Sequence, residues 1–386
     1  MLDLSKLKNR IQPFAEPVTR VLFKVLSCFV NKRLVVFESF HGKNYSDSPR
    51  AMYEYFCLAH PEYKCVWVAA RGYEHLFKEA GVPYVKKFSL RFYATMPRAK
   101  FWIINTRTPL YMKKSKKTIY LQTWHGTPLK HIGLDTNNKD RQHQEELIAE
   151  TQRWDILLSA NKYSTEKFQT AFDYRGKILE KGYPRNDILQ QENEKKKSEI
   201  RERLGISSDK KVVLYAPTWR EDRELERQMF EFENELPINE ILTENEDVVI
   251  LMRLHYLSVG LHDEEFPRDR VLDVTMYSDI SHLYLISDLL ITDYSSVMFD
   301  FAFTRKPMLF YMYDQERYHH NRGYYFEPKD ILPGEIISER AMMPRAVRKK
   351  LESNEIDEKY EHFYQKFCIE QTNASQEVVE YLLANY

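Results

Sequence analysis

Two α/β domains, each doubly wound around a parallel sheet, are what this chain predicts, and three observations carry the expectation. Its 386 residues exceed what one ordinary core encloses and suit two domains of typical size. Short β-type runs alternate with helical stretches along most of it, the pattern of βαβ units. A charged stretch at 190–203, containing Lys195, Lys196 and Lys197, divides that alternation into two series.

The first series has β-type runs at 34–38, 64–69, 83–86, 101–105, 118–123, 155–160 and 177–181; the second has them at 212–216, 248–253, 270–274, 289–293 and 307–311. Beyond Ser338 the sequence is helical and charged, with Phe363, Phe367, Val378, Val379, Leu382 and Leu383 as packing positions. The expected organisation is a membrane-association segment over 1–33, an amino-terminal domain over 34–195, a carboxy-terminal domain over 196–340, and helices over 341–386 that pack back across both. Two such domains present a ligand with the carboxyl ends of their strands across a cleft, where helix N-termini offer free N–H groups.

Composition excludes several classes. With 57 basic and 57 acidic residues the chain has no general attraction for nucleic acid, so an anionic partner has to meet a local cationic patch. Cys28, Cys57, Cys65 and Cys368 lack metal-type spacing and a disulfide framework, which fits a reducing cytoplasm. Only 11 glycines are present and no G-x-G-x-x-G loop, against a nicotinamide enzyme. The His319-His320 pair has no carboxylate or cysteine to complete a metal set, so neither metal nor cofactor is expected.

In the first segment, residues 18–30 form an apolar run interrupted by Arg20 and Lys24. Drawn as a helix, it puts Arg20, Lys24, Ser27 and Asn31 on one stripe, with Val18, Val21, Leu22, Val25, Leu26 and Phe29 on the other faces. The run falls short of the roughly 18–20 apolar residues of a spanning helix, and no cleavage site follows. Lys6, Lys8, Arg10, Lys32 and Arg33 surround it, as in a helix lying on an anionic leaflet; packing on the first domain is the alternative.

The chemistry-bearing residues follow strands. Leu121-Gln122-Thr123-Trp124-His125-Gly126-Thr127-Pro128-Leu129-Lys130 joins a strand to a capped turn, with Gly126 supplying backbone freedom and Thr127 a cap. His125 there can take a proton from a hydroxyl, or merely satisfy the turn. At the end of the apolar run 248–253, Arg253 and His255 pair a cation with an imidazole, suited to a diphosphate; a structural ion pair is the alternative for Arg253. Asp293-Tyr294-Ser295-Ser296 leads from strand to helix, where Ser295 and Ser296 can bind phosphate or serve as plain caps. Just beyond the run 212–216, Thr218 and Arg220 add a hydroxyl and a cation that can line the cleft. Arg322 offers a further phosphate or ribose ligand, and Gly126, Thr127 and Lys130 are candidates for binding substrate. In the loop Phe37–Arg50, Lys43 and Arg50 can meet acceptor phosphate; Asp47 can orient His125 or form an ordinary Asx turn.

Taken together, WHGTPLK followed by Gly133-Leu134-Asp135, the APTWR run, the RLH strand end, TDYSSVMFDFAF-x-x-KP and the FESFHGKNYSDSPR loop resemble the CDP-glycerol glycerophosphotransferases of teichoic acid synthesis. The similarity spans roughly residues 34–328. It implies a GT-B fold of two Rossmann-like domains facing a cleft, transfer of glycerol phosphate from CDP-glycerol to an undecaprenyl-diphosphate-linked polymer, and peripheral attachment to the cytoplasmic side of a Gram-positive cell membrane. It also implies that His125 and His255 are the essential histidines and that Arg253, Asp293, Ser295 and Ser296 hold the donor. Tyr256 stands where many relatives have proline. Three other readings stay open: a CDP-ribitol-dependent transferase, a nucleotide-sugar GT-B enzyme, and a non-catalytic lipid-polymer binding protein. No motif sets the oligomeric state, and a homo-oligomer is compatible with the chain.

Overall fold

The computed structural model describes residues 17–386 apart from 138–139, 192, 219–223, 226–228, 232–234, 255–257, 260–265, 315–322, 354–355, 357 and 370–372. The chain forms two units. The first holds residues up to His125, Gly133–Asp187 and Asn373–Tyr386; the second holds Gly126–Ile132 and Ile188–Thr372.

The first unit is built on seven parallel strands: β1 (Asn31–Glu38), β2 (Lys64–Ala69), β3 (Tyr84–Lys86), β4 (Ala99–Ile104), β5 (Ile119–Gln122), β6 (Ile156–Ser159) and β7 (Lys177–Glu180). Their order, β3-β2-β1-β4-β5-β6-β7, reverses direction between β1 and β4. The doubly wound expectation is met, and a topological switch point lies at that β1/β4 boundary. Buried on both faces, Leu34–Phe37 and Phe101–Ile104 read as unbroken apolar runs, as parallel strands must. Phe37, Tyr53, Phe56 and Trp67 form an aromatic cluster at the centre of the core. The final helix Ala374–Asn385 contributes Val378, Val379 and Leu382 to the same core. Its first turn is tied down by Asp187, whose carboxylate accepts from Ala374 N and Ser375 N at 2.8 Å each.

Residues 17–26 are helical. Phe23, fully buried, packs against Phe92 and Tyr93, and Thr19 Oγ1 donates to the Tyr93 hydroxyl at 3.3 Å. Val18, Val21 and Val25, one turn apart, remain exposed, as do Arg20 and Lys24.

The second unit carries β8 (Lys211–Ala216), a small three-stranded sheet of β9 (Glu224–Leu225), β10 (Met229–Glu231) and β12 (Ser258–Val259), and the strands β11 (Val248–Met252), β13 (Val271–Asp273), β14 (Leu289–Thr292), β15 (Met308–Tyr311) and β16 (Glu335–Ile337). The large sheet is parallel in the order β13-β11-β8-β14-β15-β16, with its switch point between β8 and β14. Met343, Ala346 and Val347 of the helix Met343–Ser353 close its core over Val213, Ile250 and Leu309.

Candidate active site

In the first unit, the loops leaving β1, β4 and β5 converge at the carboxyl ends beside the switch point. After β1, Gly42 sits so close to β2 that a Cβ would meet Ala70 N and Val68 O at 2.8 Å, and its φ of +82° needs glycine as well. Phe40, His41, Asp47 and Trp124 also have positive φ, at 45°, 60°, 66° and 52°. Four non-glycine residues in the left-handed region around one site are costly, and such outliers persist only where surrounding contacts hold them.

Those contacts are specific. Asn105, just after β4, accepts Phe40 N–H at 2.8 Å through Oδ1 and donates Nδ2 to Asp47 Oδ2 at 3.2 Å. Asp47, buried at the start of the helix Asp47–Ala59, also accepts Arg185 NH1 at 3.0 Å. A second buried pair, Glu38 with Lys87 at 2.7 Å, closes the end of β1.

His125 follows β5. Its imidazole stacks on Trp124 with ring centroids 4.3 Å apart, and the Phe40 ring lies 6.1 Å away. The ring keeps solvent-accessible surface, yet protein crowds it enough that desolvation pulls its pKa down to about 4. The Asp47 charge opposes this, while Arg185 and His41 reinforce it. Exposed His41 is likewise held below its ordinary value, by burial of its surroundings and then by Lys87, with Glu38 opposing and Lys43 and Arg107 adding to the shift. Asp47 therefore acts on His125 by charge, with its oxygens committed to Arg185, Asn105 and its own helix start.

Gly126, Thr127 and Lys130 fall in the second unit. His131 N–H donates to Gly323 O at 3.0 Å, Tyr325 N–H donates to Leu129 O at 3.2 Å, and Lys130 bridges Tyr324. At that unit's switch point, buried Asp293 follows β14, and its Oδ1 accepts Thr218 N–H, just beyond β8, at 2.8 Å and Tyr294 N–H at 2.6 Å. Ser295 and Ser296 stand at the start of the helix Val297–Phe301, with Ser295 Oγ accepting Val297 N–H at 3.4 Å. Arg253, after β11, donates NH1 to Val274 O, Thr275 O and Tyr277 O at 2.6 Å each, which secures the turn beyond β13. His255, Arg220 and Arg322 lie outside the described residues. Among the described residues, no cluster of His, Cys, Asp or Glu has the arrangement of a metal site.

The structure thus assembles His125, Asp47 and Lys43 at one switch point with three residues that sequence reasoning did not single out: His41, Asn105 and Arg185. Arg185 lies in the turn after β7, but nothing local in the sequence links it to Asp47, 138 positions away. It gathers Thr218, Asp293, Ser295 and Ser296 at the other.

Residues 20–384 match the family described as CDP-glycerol:poly(glycerophosphate) glycerophosphotransferase. The chain belongs to that family. A teichoic acid glycerol-phosphate transferase of Staphylococcus aureus is 47% identical over 97% of this chain and 99% of its own length. A teichoic acid poly(glycerol phosphate) polymerase of Bacillus subtilis is 40% identical over 97% of this chain, which spans 52% of that protein. The solved wall teichoic acid polymerase TagF aligns with a TM-score of 0.85 at 35% identity, covering 100% of this chain and 98% of that one. As a glycerophosphotransferase of this family the chain has two Rossmann-like domains of GT-B type and carries CDP-glycerol glycerophosphotransferase activity in teichoic acid synthesis. Ribitol-phosphate relatives match at lower identity over less of the chain.

Proposed function

We propose that the chain moves glycerol phosphate from CDP-glycerol to the terminal glycerol hydroxyl of an undecaprenyl-diphosphate-linked teichoic acid acceptor, with His125 as the base. The acceptor oxygen attacks the glycerol-bearing β-phosphorus, the bond from that phosphorus to the CMP oxygen breaks, and CMP leaves. His125 takes the hydroxyl proton. Phosphoryl transfer asks a protein mainly for positioning and for stabilised charge. In this reading Ser295, Ser296, the Thr218 hydroxyl and Lys130 meet donor oxygens. Asp293 orders the two turns that present them, and Lys43 meets acceptor phosphate. The sequence motifs add His255, Arg253, Arg220 and Arg322 to the donor side.

The observation that carries the reading is an imidazole stacked on Trp124 beside the first switch point, where a doubly wound domain binds its ligand, with desolvation lowering its pKa. Enzyme in which His125→Ala has been made should lose transfer by about 10²–10⁴-fold, the usual contribution of a general base. Its affinity for CDP-glycerol, read by calorimetry, should stay within a few-fold. Ordinary turnover by that variant overturns the assignment.

The same reading puts the enzyme peripherally on the cytoplasmic face of the membrane. Among the described residues no helix is long and apolar enough to cross a bilayer. Support comes instead from the exposed stripe Val18, Val21 and Val25, flanked by Arg20 and Lys24, on a helix anchored to its domain by Phe23.

A further inference from the structure

The peptide that delivers His125 has a conformation its own residues do not favour. Trp124 has φ +52°, and a bulky side chain leaves the left-handed region unless something holds it. Gln122, the fully buried last residue of β5, makes the contact that does so. Its Oε1 accepts Trp124 N–H at 2.9 Å, while its Nε2 donates to Thr106 O at 3.0 Å and lies 3.5 Å from the Tyr120 hydroxyl. A donor on one side and a carbonyl on the other allow the amide only one orientation.

The amide plane is itself braced. Thr106 Oγ1 accepts His41 N–H at 3.3 Å, so one residue links the turn after β1 to the turn after β5. Tyr120 donates to Glu150 Oε1 at 3.2 Å, and Glu150 accepts Thr108 N–H at 2.9 Å and pairs with Arg153. On the far side, the Trp124 indole packs against Phe172 at 4.6 Å and Phe168 at 6.1 Å and carries the His125 ring.

We infer that Gln122 is a positioning residue for transfer. By holding the Trp124 peptide in its left-handed turn it seats the indole, and the indole orients the imidazole. Without the Oε1 acceptor the turn relaxes toward extended backbone and the ring leaves its stacked pose. Gln122 touches neither substrate nor reacting atoms, and the inference rests on His125 being the base.

Two full-length variants test it, Gln122→Met, which keeps the length and loses both hydrogen bonds, and Gln122→Glu. The first readout is the Cε1–H resonance of His125 in 13C-histidine-labelled protein, assigned by its loss in His125→Gln, because the indole ring current marks the stacked pose. The second is kcat and KM with CDP-glycerol. Gln122→Met should move the resonance to the position of an unstacked histidine and lower kcat by about 10–100-fold, the scale of an ångström-sized misplacement, with KM for CDP-glycerol within about two-fold. In Gln122→Glu an oxygen that accepts from Trp124 N–H is kept whether or not the carboxyl is ionised, so the stacked resonance should persist at neutral pH. A side chain that only filled the core would lower the melting temperature and leave the resonance in place.

An unmoved resonance with normal kcat in folded Gln122→Met overturns the inference. Should that variant not fold, a resonance that leaves the stacked position in folded Gln122→Glu, which keeps the acceptor, overturns it as well. A displaced resonance with undiminished kcat also overturns it, through the base assignment, and His125→Ala would then retain turnover.

Discussion

A histidine that is to take a proton from a hydroxyl must be neutral before the substrate arrives, and desolvation secures this for His125 by lowering its pKa to about 4. The sign of the pH effect follows. Activity is lost when the ring binds a proton, so kcat/KM should keep its plateau below the ordinary histidine value of 6.5 and fall only as pH approaches about 4. A phosphate bound beside the ring favours the imidazolium, so the acid limb of kcat should lie above that of kcat/KM. A pH–rate series measures both, and a kcat/KM limb near 6.5 would contradict the desolvation of the ring. At this scale the sequence is informative about single residues and silent about their partners. His125 is legible because it follows a strand directly and precedes a glycine, although Thr127 caps no helix and the positive φ falls on Trp124 rather than on Gly126. Arg185 is not, because the carboxylate that it pairs with is 138 positions away.

Among elements, the last helix depends most clearly on a remote residue. Asp187 supplies the acceptor that two N–H groups at its start require, although burial of that carboxyl raises its pKa. Asp187→Ala should lower stability by about 1–2 kcal/mol, as for loss of a helix cap, and the urea midpoint measures it. The helix over residues 17–26 gives a prediction of the opposite kind, a surface change with a membrane readout. Val21→Asp together with Val25→Asp should leave the melting temperature unchanged within a degree or two, because both are exposed, and should abolish flotation with anionic vesicles. Flotation equal to the parent protein removes this stripe from the membrane reading. The sequence describes that helix incompletely: with apolar residues on most sides it gives no inward direction, and only packing shows that Thr19 and Phe23 face the domain. Strand β16 and the small sheet β9, β10 and β12 were also not anticipated, since strands of two or three residues carry no measurable periodicity.

For the whole molecule, the choice of donor is the informative measurement. With a lipid-linked acceptor, kcat/KM for CDP-glycerol should exceed that for CDP-ribitol by at least about tenfold, the discrimination a site can build against extra carbon atoms. Mass analysis of the acceptor should show increments of one glycerol phosphate, and equal use of both donors would contradict the specificity. By itself the sequence determined two doubly wound halves and the ordered motifs that end their strands, because strand and helix propensity and turn chemistry are written in contiguous stretches. Only the tertiary structure decided which strands adjoin, and hence that both switch points fall beside the motif loops. It also decided that the last helix joins the first core, that Asn105 and Arg185 hold the loop after β1, and that Gln122 braces the turn that carries His125. Parallel strands pair through long crossovers, so neighbours in a sheet can be far apart in the chain, and no local pattern encodes which of them will meet.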